Sequence, residues 1–194
     1  MPEMSPFEQG FCRSAPWRWF AGNVVLPWAL QGAQLSGDVL EIGGGSGAMA
    51  AELARRFPNV RLTATDYDAS MVEAARERLQ EFGDRVEVQR ADAAQLPFPD
   101  ASYDAVVSFI MLHHVIDWEE ALAEAVRVLR PGARLLGFDL LAGRAMRFLH
   151  RAESRNERMM RWEELRQEVR GLPLLGVLNR SAGGFTARFD LQKR

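Results

Sequence analysis

Residues Val39 to Ala50 read VLEIGGGSGAMA, with Gly43, Gly44, Gly45 and Gly47 crowded directly behind an apolar run that contains one carboxylate, Glu41. Glycine costs backbone entropy wherever it stands, so this concentration asks for more than a tight turn. A strand that enters a glycine turn and opens a helix offers bare backbone N–H groups and a helix N-terminus to a ligand. Two further acids occupy comparable places, Asp66 closing VRLTATD and Asp92 in RADAAQLPF. Carboxylates at strand ends accept hydrogen bonds from an ammonium group, from hydroxyls and from an exocyclic amine. MLHHVIDW adds His113 and His114, and imidazole is the side chain suited to general-base work near neutral pH. His113 is the first candidate, because it is nearer the preceding strand.

Two ligand classes compete for this constellation. Gly43, Gly45 and Ala48 fit G-x-G-x-x-G/A, and Asp66 lies about twenty residues on, as a dinucleotide-binding turn requires. An NAD-dependent oxidoreductase is therefore one reading. Three features count against it: the chain leaves no room for a substrate domain, Glu41 puts a carboxylate on the strand, and Asp92 follows the third strand. Acids after three successive strands suit a ligand that carries an ammonium group, ribose hydroxyls and an adenine amine together. S-adenosyl-L-methionine carries all three.

The elements that must hold these residues alternate. DVLEIG, VRLTATD, RVEVQRAD, YDAVVSFIM and ARLLGFDLL read as strands. SGAMAAELARRF, ASMVEAARERLQEF and DWEEALAEAVRVLR have helical spacing, the last ended by Pro131-Gly132, and Gly83 reads as a helix C-cap. Asp68 is a better N-cap than Asp66 for the helix behind them. Strands alternating with helices imply a parallel sheet covered on both faces. A long helical stretch from Ala142 to about Arg170 precedes LPLLGVLNR and GFTARFDLQ, whose short Ser-Ala-Gly-Gly connection makes them antiparallel neighbours. The expected fold is α/β: a Rossmann-like, doubly wound, mostly parallel seven-stranded sheet with a C-terminal antiparallel hairpin. One domain is expected over residues 1–194, with 1–35 a helical cap broken near Pro27 and 36–194 the core.

With 47% apolar and 26% charged residues and a net charge of −2, the chain has the balance of a globular protein and no general affinity for nucleic acid. Its one cysteine, Cys12, forms no internal disulfide. The N-terminus lacks a signal-peptide pattern, and no apolar tract approaches the ~20 residues of a membrane span. A cytoplasmic protein without a resident metal is expected.

VLEIGGGSG, LTATDYD, VQRADAAQLPFPDASYDAVVSFIMLHHV and ALAEAVRVLRPGARLLGFD together resemble the class I S-adenosylmethionine-dependent methyltransferases, in the branch that includes the ubiquinone/menaquinone enzymes. The resemblance covers roughly residues 37 to 140, and the closing strand pair matches the hairpin that ends that fold. It implies that Glu41, Gly43, Gly45 and Gly47 surround the methionine part of the cofactor and that Asp66 holds the ribose hydroxyls, with Tyr67 beside the adenine. It further implies Asp92 and Ala93 at the adenine edge and Ser108 on the methionine side. Ala133 departs from the family, which often has a second glycine there.

The acceptor is less legible. Methylases of exocyclic or amide nitrogens tend to carry N/D-P-P-Y after the fourth strand, and SFIMLHH does not. The expected reaction is methyl transfer to an oxygen or carbon of a small molecule. Trp17, Trp19 and Phe20 could cover the site, or simply pack on the surface. Arg144, Arg147, Arg151, Arg155 and Arg158 fall along one helical face, with Glu153, Glu157, Glu164 and Glu168 roughly opposite. That face reads as solvated, or as a surface for an acidic substrate or partner; an RNA substrate stays open through it. A cofactor-binding subunit active only with a partner is the remaining alternative.

Overall fold

Strand β1 (Gly37–Ile42) is buried along its last four residues. Its near-continuous apolar run is what a parallel strand covered on both faces requires. The computed structural model describes residues 19–142 and 160–194, and within them β1 lies third in a seven-stranded sheet. The other strands are β2 (Val60–Asp66), β3 (Val86–Arg90), β4 (Tyr103–Phe109), β5 (Leu129–Leu140), β6 (Leu174–Ser181) and β7 (Thr186–Lys193). Their spatial order is β3-β2-β1-β4-β5-β7-β6. The first five run parallel. β7 enters antiparallel beside β5, and β6 pairs antiparallel with β7.

Among the described residues the cap is helical from Trp19, and a single π turn, Ala21–Val25, runs into α1 (Leu26–Leu30). Pro27 stands in the first turn of α1, where the π turn gives way to α pitch, and it has no N–H to continue the preceding ladder; the expected break is this change of helical pitch. α2 (Ala48–Arg56), α3 (Ala69–Leu79), α4 (Trp118–Val128) and α5 (Trp162–Gly171) complete the layers. Asp68 caps α3 by accepting the Ser70 N–H at 2.7 Å. Leu26, Leu53 and Leu79 pack with Val39, Val107 and Leu136 on one face of the sheet. Trp118, Leu122 and Leu165 pack with Leu40, Val106 and Leu135 on the other. Alternate residues of each strand therefore feed two cores.

Three boundaries differ from the sequence reading. α4 stops at Val128, and Pro131-Gly132 lie inside β5 instead of ending the helix. Leu129 pairs with Tyr103, but the next pair is Arg134 with Ala105. Pro131 has no N–H for the ladder and Gly132 takes φ +82°, so the strand bulges there. β4 ends at Phe109, because Ile110 turns to φ +54° and gives its N–H to the Phe138 carbonyl at 2.9 Å. α3 gives way at Leu79 to a 3-10 segment, Gln80–Arg85, in which Gly83 takes φ +55°. Of the expected helix from Ala142, α5 is seen. The arginine face, Trp17 and Cys12 lie outside the described residues. Among those described, no helix is long and apolar enough to cross a membrane.

Candidate active site

The chain order of the strands reverses between β1 and β4, and an open α/β sheet has its ligand crevice at the carboxyl ends of the strands on either side of such a switch. The glycine turn, both histidines and Asp92 follow strands at this end, and Glu41 and Asp66 stand in the last residues of β1 and β2.

The glycines of the turn have different tasks. Gly43, Gly45 and Gly47 take φ +65°, +55° and +77°, a region that side chains rarely adopt. A Cβ on Gly43 would come within 1.8 Å of Met111 Cγ, and one on Gly47 within 3.3 Å of the Ala75 backbone. These two let the loop after β4 and helix α3 approach the turn. A Cβ on Gly44 would stand 2.7 Å from Glu41 Oε2. Only at Gly45 would it meet nothing within 4 Å. Gly45 is the glycine that borders the open crevice.

Asp66 braces this turn. Its Oδ2 accepts the Gly45 N–H at 2.8 Å and its Oδ1 the Asp68 N–H at 2.9 Å. Burial pushes its carboxyl above the usual range, against the pull of those same N–H groups. Each oxygen keeps lone-pair capacity for a hydroxyl donor. Glu41 is 1% exposed, and its Oε2 has no hydrogen-bond partner. Burial, and secondarily the charge of Asp66, pushes its carboxyl up to about 8. A buried acid without a donor is costly, and a cationic group set against it would answer that cost.

Tyr67 follows β2. Arg90 donates from Nε to the Tyr67 carbonyl at 2.8 Å and stacks its guanidinium 5.4 Å from the ring centroid. Asp92 holds its own turn, accepting the Ala94 N–H at 3.0 Å, and bridges to Gln95. Ala93 is buried behind it. Ser108 is fully buried, with an unpartnered Oγ, in register with Ile42 and Gly137.

The loop after β4 is organised by a residue that the sequence reading missed. Asp139 near the end of β5 is wholly buried. It accepts the N–H groups of Met111 at 2.9 Å, Leu112 at 2.6 Å and Leu140 at 2.7 Å. His113, 4% exposed, places Nδ1 2.6 Å from Asp139 Oδ1. Burial alone would raise the Asp139 carboxyl; the His113 charge and hydrogen bond, with those backbone donors, outweigh it and hold the carboxyl below the ordinary range. With Nδ1 committed as donor, Nε2 is the nitrogen left to meet an acceptor. The His114 ring packs on His113 at 3.9 Å between centroids. Asp139 carried the same signal as Glu41, a lone carboxylate inside a buried apolar run, GFDLL.

Residues 39–132 match a family described as a methyltransferase domain. The ubiquinone/menaquinone biosynthesis C-methyltransferase UbiE of Hahella chejuensis is 40% identical over 108 residues, 54% of this chain and 43% of the relative. That of Desulfotalea psychrophila is 36% identical over 104 residues, 54% and 42% of the two chains. The chain thus spans less than half the length of these curated relatives. Among solved structures, a candidate methyltransferase of Bacillus halodurans C-125 shares 25% identity at TM-score 0.69, over 79% of this chain and 71% of that one. A chain from the complex between the Haloferax volcanii Trm112 methyltransferase activator and a candidate methyltransferase shares the fold at TM-score 0.79 and 17% identity, over 99% of each.

Proposed function

We propose, from the methyltransferase-domain match over residues 39–132 and the likeness to methyltransferase relatives and structures, that the chain is a class I S-adenosylmethionine-dependent methyltransferase that transfers a methyl group to an oxygen or carbon atom of a small-molecule acceptor. The observation that supports this best is the buried Glu41 Oε2, which lacks a partner beside a glycine turn open only at Gly45. An ammonium group would satisfy that oxygen, and the bare Gly45 backbone leaves space for the chain that carries it. Asp66 would take the ribose hydroxyls on its remaining lone pairs, Tyr67 would flank the adenine, and Asp92 with Ala93 would meet its amine edge. Gly43, Gly47 and Ser108 would shape the methionine side. The cofactor supplies a methyl group already activated as a sulfonium.

The residues of the chain then position and deprotonate. Holding an acceptor atom in line can supply ~7–11 kcal/mol of the barrier. His113, oriented through Nδ1 by Asp139, would take a proton at Nε2 from an acceptor hydroxyl, or from a hydroxyl conjugated to the carbon to be methylated. The relatives named for quinone C-methylation favour the carbon outcome, though their similarity covers only about half of this chain.

Incubating the full chain with methyl-labelled S-adenosylmethionine and a panel of phenols, quinols and small acids tests the proposal. Label recovered in an acceptor supports it. Hydride exchange with NAD and no methyl transfer would overturn it in favour of an oxidoreductase.

A further inference from the structure

Strand β7 leaves two polar side chains without partners on one face of the sheet. Thr186 Oγ1 and Arg188 Nε are both buried, and neither has a hydrogen-bond partner. They stand two positions apart, so they project from the same face. Phe138, the register partner of Arg188, meets Trp28 of α1 on that face, with ring centroids 5.0 Å apart. The Arg188 guanidinium lies 5.5 Å from the Trp28 centroid. Asp190, two positions further along the same face, gives its carboxylate to Arg134, whose Nε donates at 2.9 Å. Among the described residues no acid pairs with Arg188.

Stacking on Trp28 recovers part of the cost of desolvating a guanidinium, but it does not use the Nε–H or the threonine hydroxyl. Both are donors. The group that answers two adjacent donors, one of them charged, is an anionic oxygen group. Its location ties it to the crevice: Thr186 is in register with Leu140, the last residue of β5, and the register through Leu136 and Val107 puts the pair on the face of the sheet that Glu41 occupies, while Asp139, beside the intervening Ala187, projects from the other. The residues assigned to the cofactor lie on or behind β1 to β4, across β5 from this pair. The pair also lies beyond residues 39–132, the part matched by the methyltransferase-domain family. Variation that sets the acceptor belongs in such a place.

We propose that Thr186 and Arg188 form the anion-recognition site of the acceptor, so that the molecule methylated carries a carboxylate or phosphate group. The inference rests on the methyltransferase reading. Benzoate and phenyl phosphate, with benzamide as the neutral counterpart, can be titrated by calorimetry into the full chain saturated with S-adenosylhomocysteine. One or both acids should bind more tightly than benzamide. Arg188→Met keeps an apolar stem against Trp28 and should weaken acid binding by about tenfold or more, the worth of one charge-assisted hydrogen bond. Thr186→Val should weaken it less, and neither variant should change S-adenosylhomocysteine affinity. Should Arg188→Met fail to fold, Arg188→Lys and Thr186→Val carry the comparison. Acids bound no better than benzamide, or bound equally by wild type and variants, would overturn the site. Absence of any S-adenosylhomocysteine binding would sink the methyltransferase reading separately, since acid binding to the unsaturated chain still reports on Arg188.

Discussion

Glu41 is the residue whose cost most needs a ligand to explain it. Its carboxyl is raised from the ordinary 4.5 to about 8 by burial first and Asp66 second. Between those two values the folded chain keeps a proton that the unfolded chain has released. Stability therefore falls as pH rises through that window and levels off above it. Glu41→Gln cannot titrate, so its unfolding midpoint relative to wild type should climb from about pH 5 to pH 8 and then stay level. Denaturant melts of both proteins across pH check this, and a constant difference would mean that Glu41 is not held protonated. The same variant should lose affinity for S-adenosylhomocysteine, because its amide offers an ammonium group no charge. Gly45→Val places a β-branched side chain at φ +55° and over the open crevice. It should abolish that affinity, and retained binding in a folded variant would leave the turn purely structural.

At the scale of elements, the loop between β4 and α4 is held from β5 by the Phe138 carbonyl and, further along, by the Asp139 carboxylate. Asp139→Asn would replace one acceptor oxygen by an NH2 facing the N–H groups that now point at it. His113→Ala should lower kcat by ~10²–10⁴-fold, the usual share of general acid–base catalysis. Asp139→Asn should reproduce much of that loss while S-adenosylhomocysteine affinity stays within a few-fold, as single-turnover rates and calorimetry would show. Normal turnover in both variants would make the pair a packing device. Because the folded-state carboxyl of Asp139 lies below its ordinary value, its stabilisation is present above the ordinary carboxylate range and is lost as pH falls through the depressed value. Wild type should thus show an acid limb of unfolding that Asp139→Asn lacks. The elements themselves were largely legible: VRLTATD is β2 residue for residue, and the Ser-Ala-Gly-Gly turn does join β6 to β7. Misplaced ends occur where tertiary contact overrides local pattern. Pro131-Gly132 sits in a bulge of β5 because Tyr103 captures Leu129, and Ile110 leaves β4 for a left-handed turn that no propensity favours. The lone carboxylate in GFDLL marks Asp139 as unusual, but what Asp139 and Arg188 hold was illegible for a related reason. Each matters through a strand or loop distant in sequence, and a period-two pattern shows only which face a residue occupies.

For the whole molecule, the crevice lies over the centre of the sheet, so a ligand there ties both cores to one event. β1 is buried between β2 and β4, sends Leu40 and Ile42 into one cluster and Val39 into the other, and passes directly into the glycine turn. A ligand that contacts Glu41, Gly45 and Asp66 at once touches the ends of β1 and β2, which cannot separate without unfolding the sheet. Binding should therefore register as global stabilisation and not as the ordering of one loop. At a concentration one hundred times its Kd, such a ligand adds about 2.7 kcal/mol by mass action. For a chain of this size that corresponds to a rise in Tm of about 5–10 °C. S-adenosylhomocysteine should produce it at a concentration chosen from its calorimetric Kd, in one sharpened transition. NAD, which shares the adenosine half but has no ammonium group to set against Glu41, should leave Tm within about 1 °C at the same concentration, a shift equivalent to a few tenths of a kcal/mol. Glu41→Gln should show a reduced rise with S-adenosylhomocysteine, and Gly45→Val none. An equal rise with NAD, or full retention of the rise in both variants, would place the ligand elsewhere on the sheet and remove the glycine turn from the site.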